Sequence, residues 1–357
     1  MSPTVAVIGG GYGGITVAKA LDDVADVTLI EPRDTFVHNV AALRAVVDPD
    51  WADRIFLPYD RLLARGRVLR DRAVRVAETT VELGSGEAID ADYVVLATGS
   101  GQPYPAKIDV EDSAHAKAKL RATHEALARA SHVLLLGAGP VGLEFAGEIT
   151  ATWPDKAVTI VDPLGDILSA RFPDEFRTEL RTQLAELGVD LVLGTSLREL
   201  PATAQGRTGS FTVTTESGLA ITADIWFACF GTTAKSDYLD PGLRRHDRLV
   251  TVRPDLRVPG HDTVFAIGDI TALPELKMAR AAHQHAEVVA TNIRTLINGG
   301  GELATYEPAA DAIVLPLGPK GGAGYTPELG VLGAGQTADI KGGDLLIDRY
   351  LDMLNIE

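Results

Sequence analysis

The chain has 357 residues, 46% of them apolar, and its 49 acidic against 33 basic side chains leave a net charge of −16. That length predicts two to three domains with substantial cores, and the charge excludes nucleic acid and anionic membrane as main partners, since both would repel the chain. No run of 18 apolar residues occurs, so no transmembrane helix is expected, and the single cysteine, Cys229, excludes an internal disulfide and suits a reducing compartment.

In chain order, the first apolar run is Val5-Ala6-Val7-Ile8, which leads directly into Gly9-Gly10-Gly11-Tyr12-Gly13-Gly14. A strand so early leaves no room for a signal peptide, and Met1-Ser2-Pro3 lacks the second-position glycine of N-myristoylation, so a cytoplasmic location is expected. G-x-G-x-x-G between a buried strand and a helix is a dinucleotide fingerprint. Its first glycine allows the tight turn, its second lets a pyrophosphate approach the backbone, and its third permits close helix–strand packing. The helix N-terminus then offers N–H groups to the phosphates. The next strand, Val27-Thr28-Leu29-Ile30, ends in Glu31, where an acid is placed to accept hydrogen bonds from the adenosine ribose. Phe36 to Arg44 reads as a loop entering a short helix, and residues 67–96 alternate around Gly84-Ser85-Gly86 as a β-meander. They close with Tyr93-Val94-Val95-Leu96-Ala97-Thr98-Gly99, whose Thr98-Gly99 turn should bring backbone close to the dinucleotide.

Residues 101–112, rich in Pro, Gly and Asp, read as a connection, and 113–130 as an amphipathic helix. The plan then repeats. Val133-Leu134-Leu135-Leu136 leads into Gly137-Ala138-Gly139-Pro140-Val141-Gly142, and Val158-Thr159-Ile160-Val161 ends in Asp162. A second meander is expected near 189–225, and Ile225-Trp226-Phe227-Ala228-Cys229-Phe230-Gly231 closes the unit. Thr263-Val264-Phe265-Ala266-Ile267-Gly268-Asp269 and a helix from about Met278 to Leu296 would complete the first sheet, which makes the second unit an insertion in the first. Asp269, at the carboxyl edge of a sheet, is placed to accept a hydrogen bond from a ribityl hydroxyl. In the tail, Leu346, Ile347, Tyr350 and Leu354 form a stripe on a helix from Asp344 to Asn355. Asp348 and Asp352 replace the basic face of an interfacial helix, so a core or dimer contact is expected. Peripheral membrane contact and a homodimer stay open. The expected fold is α/β, with two Rossmann-like dinucleotide-binding domains: residues 1–108 and 235–298 for one dinucleotide, 109–234 for the other, and 299–357 as a small C-terminal α+β segment.

Two redox dinucleotides facing each other imply electron transfer between them. No His/Cys/Asp cluster has metal-ligand spacing, and neither G-x-S-x-G nor a P-loop lysine is present. A dithiol reductase is excluded, because no C-x-x-x-x-C pair exists; Cys229 reads as a small core residue. The two fingerprints, Ala97-Thr98-Gly99 and Ala266-Ile267-Gly268-Asp269 together resemble the FAD-dependent pyridine-nucleotide oxidoreductases. Five further segments are similar to the apoptosis-inducing-factor-like NAD(P)H:quinone oxidoreductase group, which includes the ferroptosis suppressor proteins: His38-Asn39-Val40-Ala41-Ala42-Leu43-Arg44-Ala45, Gly142-Leu143-Glu144-Phe145-Ala146-Gly147-Glu148-Ile149, Lys277-Met278-Ala279, His285-Ala286 with Asn292-Ile293, and Lys341-Gly342-Gly343-Asp344-Leu345.

The resemblance implies FAD in the first site and a nicotinamide dinucleotide in the second, with hydride passing to flavin and then to a small quinone-type acceptor. It implies that Glu144 and Lys341 lie where nicotinamide meets flavin, and it adds cofactor contacts at Pro32, Arg33, Arg44, Val74, Lys277, Met278 and Gly231. On the residues alone, Glu144 reads equally as a carboxylate favoured by the first turn of a helix, Lys341 as a solvated surface charge, and Lys277 and His285 as structural. Phe230 departs from the family, which has a small hydroxyl residue there. NADH is expected over NADPH, since Asp162 repels a 2′-phosphate and Pro163-Leu164-Gly165-Asp166-Ile167 supplies no cation before Arg171. Two alternatives stay open: a reductase of a ferredoxin- or rubredoxin-type carrier, which would need a basic docking patch, and an NADH-responsive flavin-bearing signalling protein with little turnover.

Overall fold

The computed structural model describes residues 2–77, 79–168 and 170–356. Two parallel sheets organise them. The first runs in the order Val264–Ala266, Tyr93–Leu96, Thr4–Ile8, Asp26–Ile30, Arg67–Leu69. The second runs Val189–Leu193, Ala157–Asp162, His132–Leu136, Ile225–Ala228. In each sheet the strand that leads into a glycine fingerprint lies inside, covered on both faces, which is why it reads as an unbroken apolar run and not as an alternation. In each, too, the strand order reverses beside that fingerprint. Ligands of open α/β sheets bind at such a point, outside the carboxyl ends of the strands.

The fifth strand of the first sheet, Val264–Ala266, comes from beyond the second unit. The chain leaves along Ser100–Gly101 and returns along Thr233–Ala234, and these two short segments pair antiparallel. Lys235 N–H then donates to Gly99 O at 2.9 Å. The helix Ala279–Ile297 follows and packs on Tyr12–Leu21, so closely that a Cβ at Gly13 would lie 3.2 Å from Ala282 O.

Two expected meanders are smaller than their alternation suggests. Arg67–Leu69 and Val189–Leu193 instead extend the two parallel sheets, where they hydrogen-bond the strands ending at Ile30 and Asp162. Pairing there satisfies backbone groups that an open sheet edge would leave unpaired. What remains is a three-stranded meander, Ala73–Ala77, Thr80–Leu83 and Ala88–Asp90, and a hairpin, Phe211–Thr214 with Ala220–Ala223.

The C-terminal segment forms an antiparallel sheet, Ile313–Leu317, Gly321–Thr326 and Gly330–Leu332. It rests directly on the helix Pro140–Thr152: a Cβ at Gly147 would sit 2.4 Å from Leu317 Cα. The last helix spans Ile347–Met353, shorter than the Asp344–Asn355 expected, because Leu345 and Leu346 adopt left-handed φ values of 53° and 64° that no helix accommodates. The reversal also exchanges two side chains. Leu346, placed on the buried stripe by spacing, is 37% exposed, and Leu345 is buried in its stead; Ile347, Tyr350 and Leu354 are buried as the stripe requires. Among the described residues no helix is long and apolar enough to cross a membrane.

Candidate functional site

The two fingerprints fold into the same cradle. Gly9 N–H donates to Ile30 O and Gly137 N–H to Val161 O, both at 2.8 Å. One residue on, Gly10 N–H donates to Glu31 Oε2 and Ala138 N–H to Asp162 Oδ2, both at 2.7 Å. The first glycines have φ of 105° and 115°, which side-chain-bearing residues avoid. A Cβ on the third glycine of either loop, Gly14 or Gly142, would lie within 2 Å of the carbonyl oxygen of the first. The chain itself therefore requires these four glycines. The middle ones, Gly11 and Gly139, are different: an added Cβ would meet nothing within 4 Å. Their open side is what a backbone-hugging pyrophosphate needs, and each adjoins the N-terminus of a helix, Tyr12–Leu21 or Pro140–Thr152, with free N–H groups. The residues present thus fit a dinucleotide in each cradle.

The repeat extends to the closing turns. Ala97 N–H donates to Ile8 O at 2.8 Å and Cys229 N–H to Leu136 O at 2.7 Å. Gly99 and Gly231 both have positive φ. Ala97 Cβ faces Gly14, as Cys229 Cβ faces Gly142. Cys229 is therefore the counterpart of an alanine, one residue past its strand, and burial pushes its thiol up to about 12, away from nucleophilic use. Phe230, between Cys229 and Gly231, is exposed.

Both strand-end acids are held by backbone. Glu31 is buried, and its Oε1 accepts from Arg33 N–H at 3.0 Å; Asp162 Oδ1 accepts from Leu164 N–H at 2.8 Å. Pro32 is half-buried in the same turn, while the Arg33 guanidinium reaches across to Ile108 O at 2.9 Å. Asp269, in the turn Gly268–Ile270, accepts from Ser100 Oγ at 2.5 Å and Lys107 Nζ at 3.1 Å. Ser100 directly follows the Thr98-Gly99 turn, whereas Lys107 lies in a proline-rich connection with no pattern to mark it. Thr98 Oγ donates to Lys235 O at 2.6 Å. Lys277 donates to Thr271 O at 2.7 Å, and burial lowers its ammonium pKa; Met278 occupies the N-terminal boundary of the following helix without a side-chain capping bond. His285 accepts from Gly268 N–H through Nδ1 at 2.9 Å, which leaves the proton on Nε2, 2.7 Å from Glu275. It braces the Asp269 turn from behind.

Glu144 and Lys341, 197 residues apart, meet with Nζ 2.7 Å from Oε1. Lys341 also donates to Val314 O at 3.3 Å, so it is partnered and not a solvated surface charge. Glu144 is the fifth residue of its helix, beyond the first turn, and the helix-start dipole does not account for it. Two further residues expected as cofactor contacts, Arg44 and Val74, differ in their surroundings. The buried Arg44 guanidinium pairs with Glu148 through Nε at 2.9 Å and Nη2 at 2.7 Å, and Nη1 donates to Gly342 O at 2.8 Å and Gly343 O at 3.1 Å, so four of its donors are taken by the protein itself. Val74 is 47% exposed on the outer meander.

A cluster of rings, Tyr12, Phe36, His38, His283 and Tyr350, adjoins the first cradle. Thr16 Oγ donates to Tyr12 O at 2.8 Å, so it must accept from His283 Nδ1 at 2.7 Å, and His283 Nε2 in turn accepts from Tyr350 OH at 3.0 Å. His38 Nε2 donates to Leu345 O at 2.8 Å. Burial pushes both imidazoles down to about 4. No sequence spacing links His283 to Tyr350, and this contact is invisible before the fold is known. Among the described residues, no group of three or more His, Cys, Asp or Glu is arranged to hold a metal ion.

A family model described as pyridine nucleotide-disulphide oxidoreductase matches residues 3–286. The chain is 31% identical over 374 residues to apoptosis-inducing factor homolog B of Dictyostelium discoideum, covering 98% of this chain and 96% of that protein. It is 30% identical over 335 residues to ferroptosis suppressor protein 1 of Xenopus tropicalis, covering 90% and 88%. Among solved structures, the sulfide:quinone oxidoreductase of Aquifex aeolicus superposes with a TM-score of 0.76 at 16% identity, over 99% of this chain and 91% of that one, a likeness of fold.

Proposed function

The chain belongs to the pyridine nucleotide-disulphide oxidoreductase family, as an FAD-dependent oxidoreductase acting on NAD(P)H with a quinone-type or similar acceptor, and from that premise we propose that the first cradle holds FAD, the second prefers NADH, and the acceptor is a small quinone. The observation that carries this reading is the cradle built twice, each copy with a middle glycine that nothing inside the protein demands. Bound flavin supplies the hydride and electron chemistry. The protein's part is to bind, orient and exclude water. Glu31 and Asp162 each keep lone pairs free for a ribose, and Asp269 offers a carboxylate at the sheet edge. Glu144 orients the carboxamide of the nicotinamide, an effect to which transfer rates are steeply sensitive. Lys341 holds Glu144 and presents a cation where negative charge develops, a contribution of a few kcal/mol in a dry site.

Purified protein should be yellow, bleach anaerobically with NADH, and recover its colour on addition of a small quinone. Colourless protein that stays colourless with added FAD would overturn the reading. Asp162 should favour NADH over NADPH by roughly tenfold or more in kcat/KM, because a carboxylate near a 2′-phosphate at an effective dielectric of about 20 is worth a few kcal/mol at most. Equal efficiency would show that Asp162 does not face the ribose.

A further inference from the structure

Lys341 reaches Glu144 from a segment with little regular structure of its own. It lies in a wide helical turn, Ala338–Gly342, which is followed within four residues by the left-handed Leu345 and Leu346. The segment is held from outside. The two carbonyls directly after Lys341, those of Gly342 and Gly343, both accept from Arg44 Nη1. The other side of the same guanidinium forks onto Glu148, which stands one helical turn beyond Glu144 on the same helix. One buried side chain thus touches the helix that carries Glu144 and the turn that carries Lys341, while its own backbone belongs to the first unit's helix Ala42–Val47. Trp51 lies over the guanidinium at 5.6 Å from the ring centroid and limits its movement. A planar fork with fixed donor directions transmits position in a way that a flexible ammonium does not.

We infer that Arg44, with Glu148, is a positioning residue that sets where Lys341 stands against Glu144, and is not a ligand of either cofactor. The inference rests on the proposed roles of Glu144 and Lys341. It requires that disturbing Arg44 impair transfer only through Lys341, with flavin still bound.

The test is anaerobic stopped-flow reduction of the flavoprotein by NADH. R44M alone would strand a buried carboxylate, so the informative variant is R44M/E148M, which replaces both charges with apolar chains of similar length, a change that such pairs generally tolerate. It should keep full flavin content and an unchanged apparent Kd for NADH, while the saturating reduction rate falls between about 10- and 100-fold. Adding K341A to it should slow reduction no further than K341A alone, since the two act through one contact. R44K, which retains the charge opposite Glu148 but loses the fork, should slow reduction in the same direction. Wild-type rates per flavin in R44M/E148M and R44K, with K341A slow, would overturn the positioning role alone. Loss of flavin from R44K would instead make Arg44 a cofactor ligand. A K341A variant with wild-type rates would remove the proposed role of Lys341 and this inference with it.

Discussion

Glycine by glycine, the cradles separate what the chain needs from what a ligand needs. Gly11 has an extended backbone with φ of −79°, accessible to any residue, and open space where a Cβ would go. Gly14 has the carbonyl oxygen of Gly9 at 1.8 Å from that position. G11V should therefore fold with stability within about 1 kcal/mol of wild type yet fail to retain FAD. G14A should lose at least about 2 kcal/mol by overpacking. Urea midpoints and the flavin-to-protein ratio check both, and a G11V protein with full flavin would dismiss the first cradle as the FAD site. At this scale the sequence is legible wherever spacing along one strand–turn–helix unit defines the residue. Glu31, Asp162 and the paired glycines sit where spacing puts them. Arg44 lies in the short segment 38–45, but its partners Glu148 and Gly342 lie 104 and 298 residues away, and no local pattern encodes a contact of that span.

Among the elements, the last helix is the least legible in sequence, because two consecutive left-handed leucines cut an apolar stripe that helical spacing presents as continuous. Its docking on the first unit has a consequence for stability. His38 and His283 are buried with pKa values pushed down to about 4, whereas an unfolded histidine titrates near 6.5. Between those values the unfolded chain binds protons that the folded chain refuses. Stability from the neutral rings is complete above about pH 6.5 and is lost as pH falls toward about 4, on the order of 2–3 kcal/mol per ring. The neighbouring charges do not reverse this: Arg349 beside His283 and Lys341 near His38 oppose protonation, and only Asp344 and the Leu345 carbonyl favour it at His38. Urea unfolding at pH 7.5 and pH 5 should show wild type losing more stability than H283Q, in which one titrating ring is gone. Equal losses would mean that His283 is not held neutral.

For the molecule as a whole, the duplicated plan was readable because strand, glycine turn, helix and acid recur in the same order. The tail was not, because its attachment depends on Gly147, which in sequence is only a small residue in a helix. The chain's double crossing at Ser100–Gly101 and Thr233–Ala234 has a consequence in time. These segments are neighbours in the fold but roughly 130 residues apart in the chain, and bringing the ends of a disordered loop of that length together costs of the order of 4 kcal/mol. Once the second unit has folded, that loop is short-circuited, and Val264–Ala266 can find its place beside Tyr93–Leu96. Ile160, fully buried at the centre of the second sheet, supplies a way to delay that event. I160A should destabilise its own unit by about 2–5 kcal/mol and, in refolding followed by quenching of FAD fluorescence, should also slow the arrival of flavin-binding competence, although Ile160 belongs to the other unit. An unchanged rate would show that the first sheet assembles alone. If the rate falls as expected, the half that begins the chain is the last to be finished.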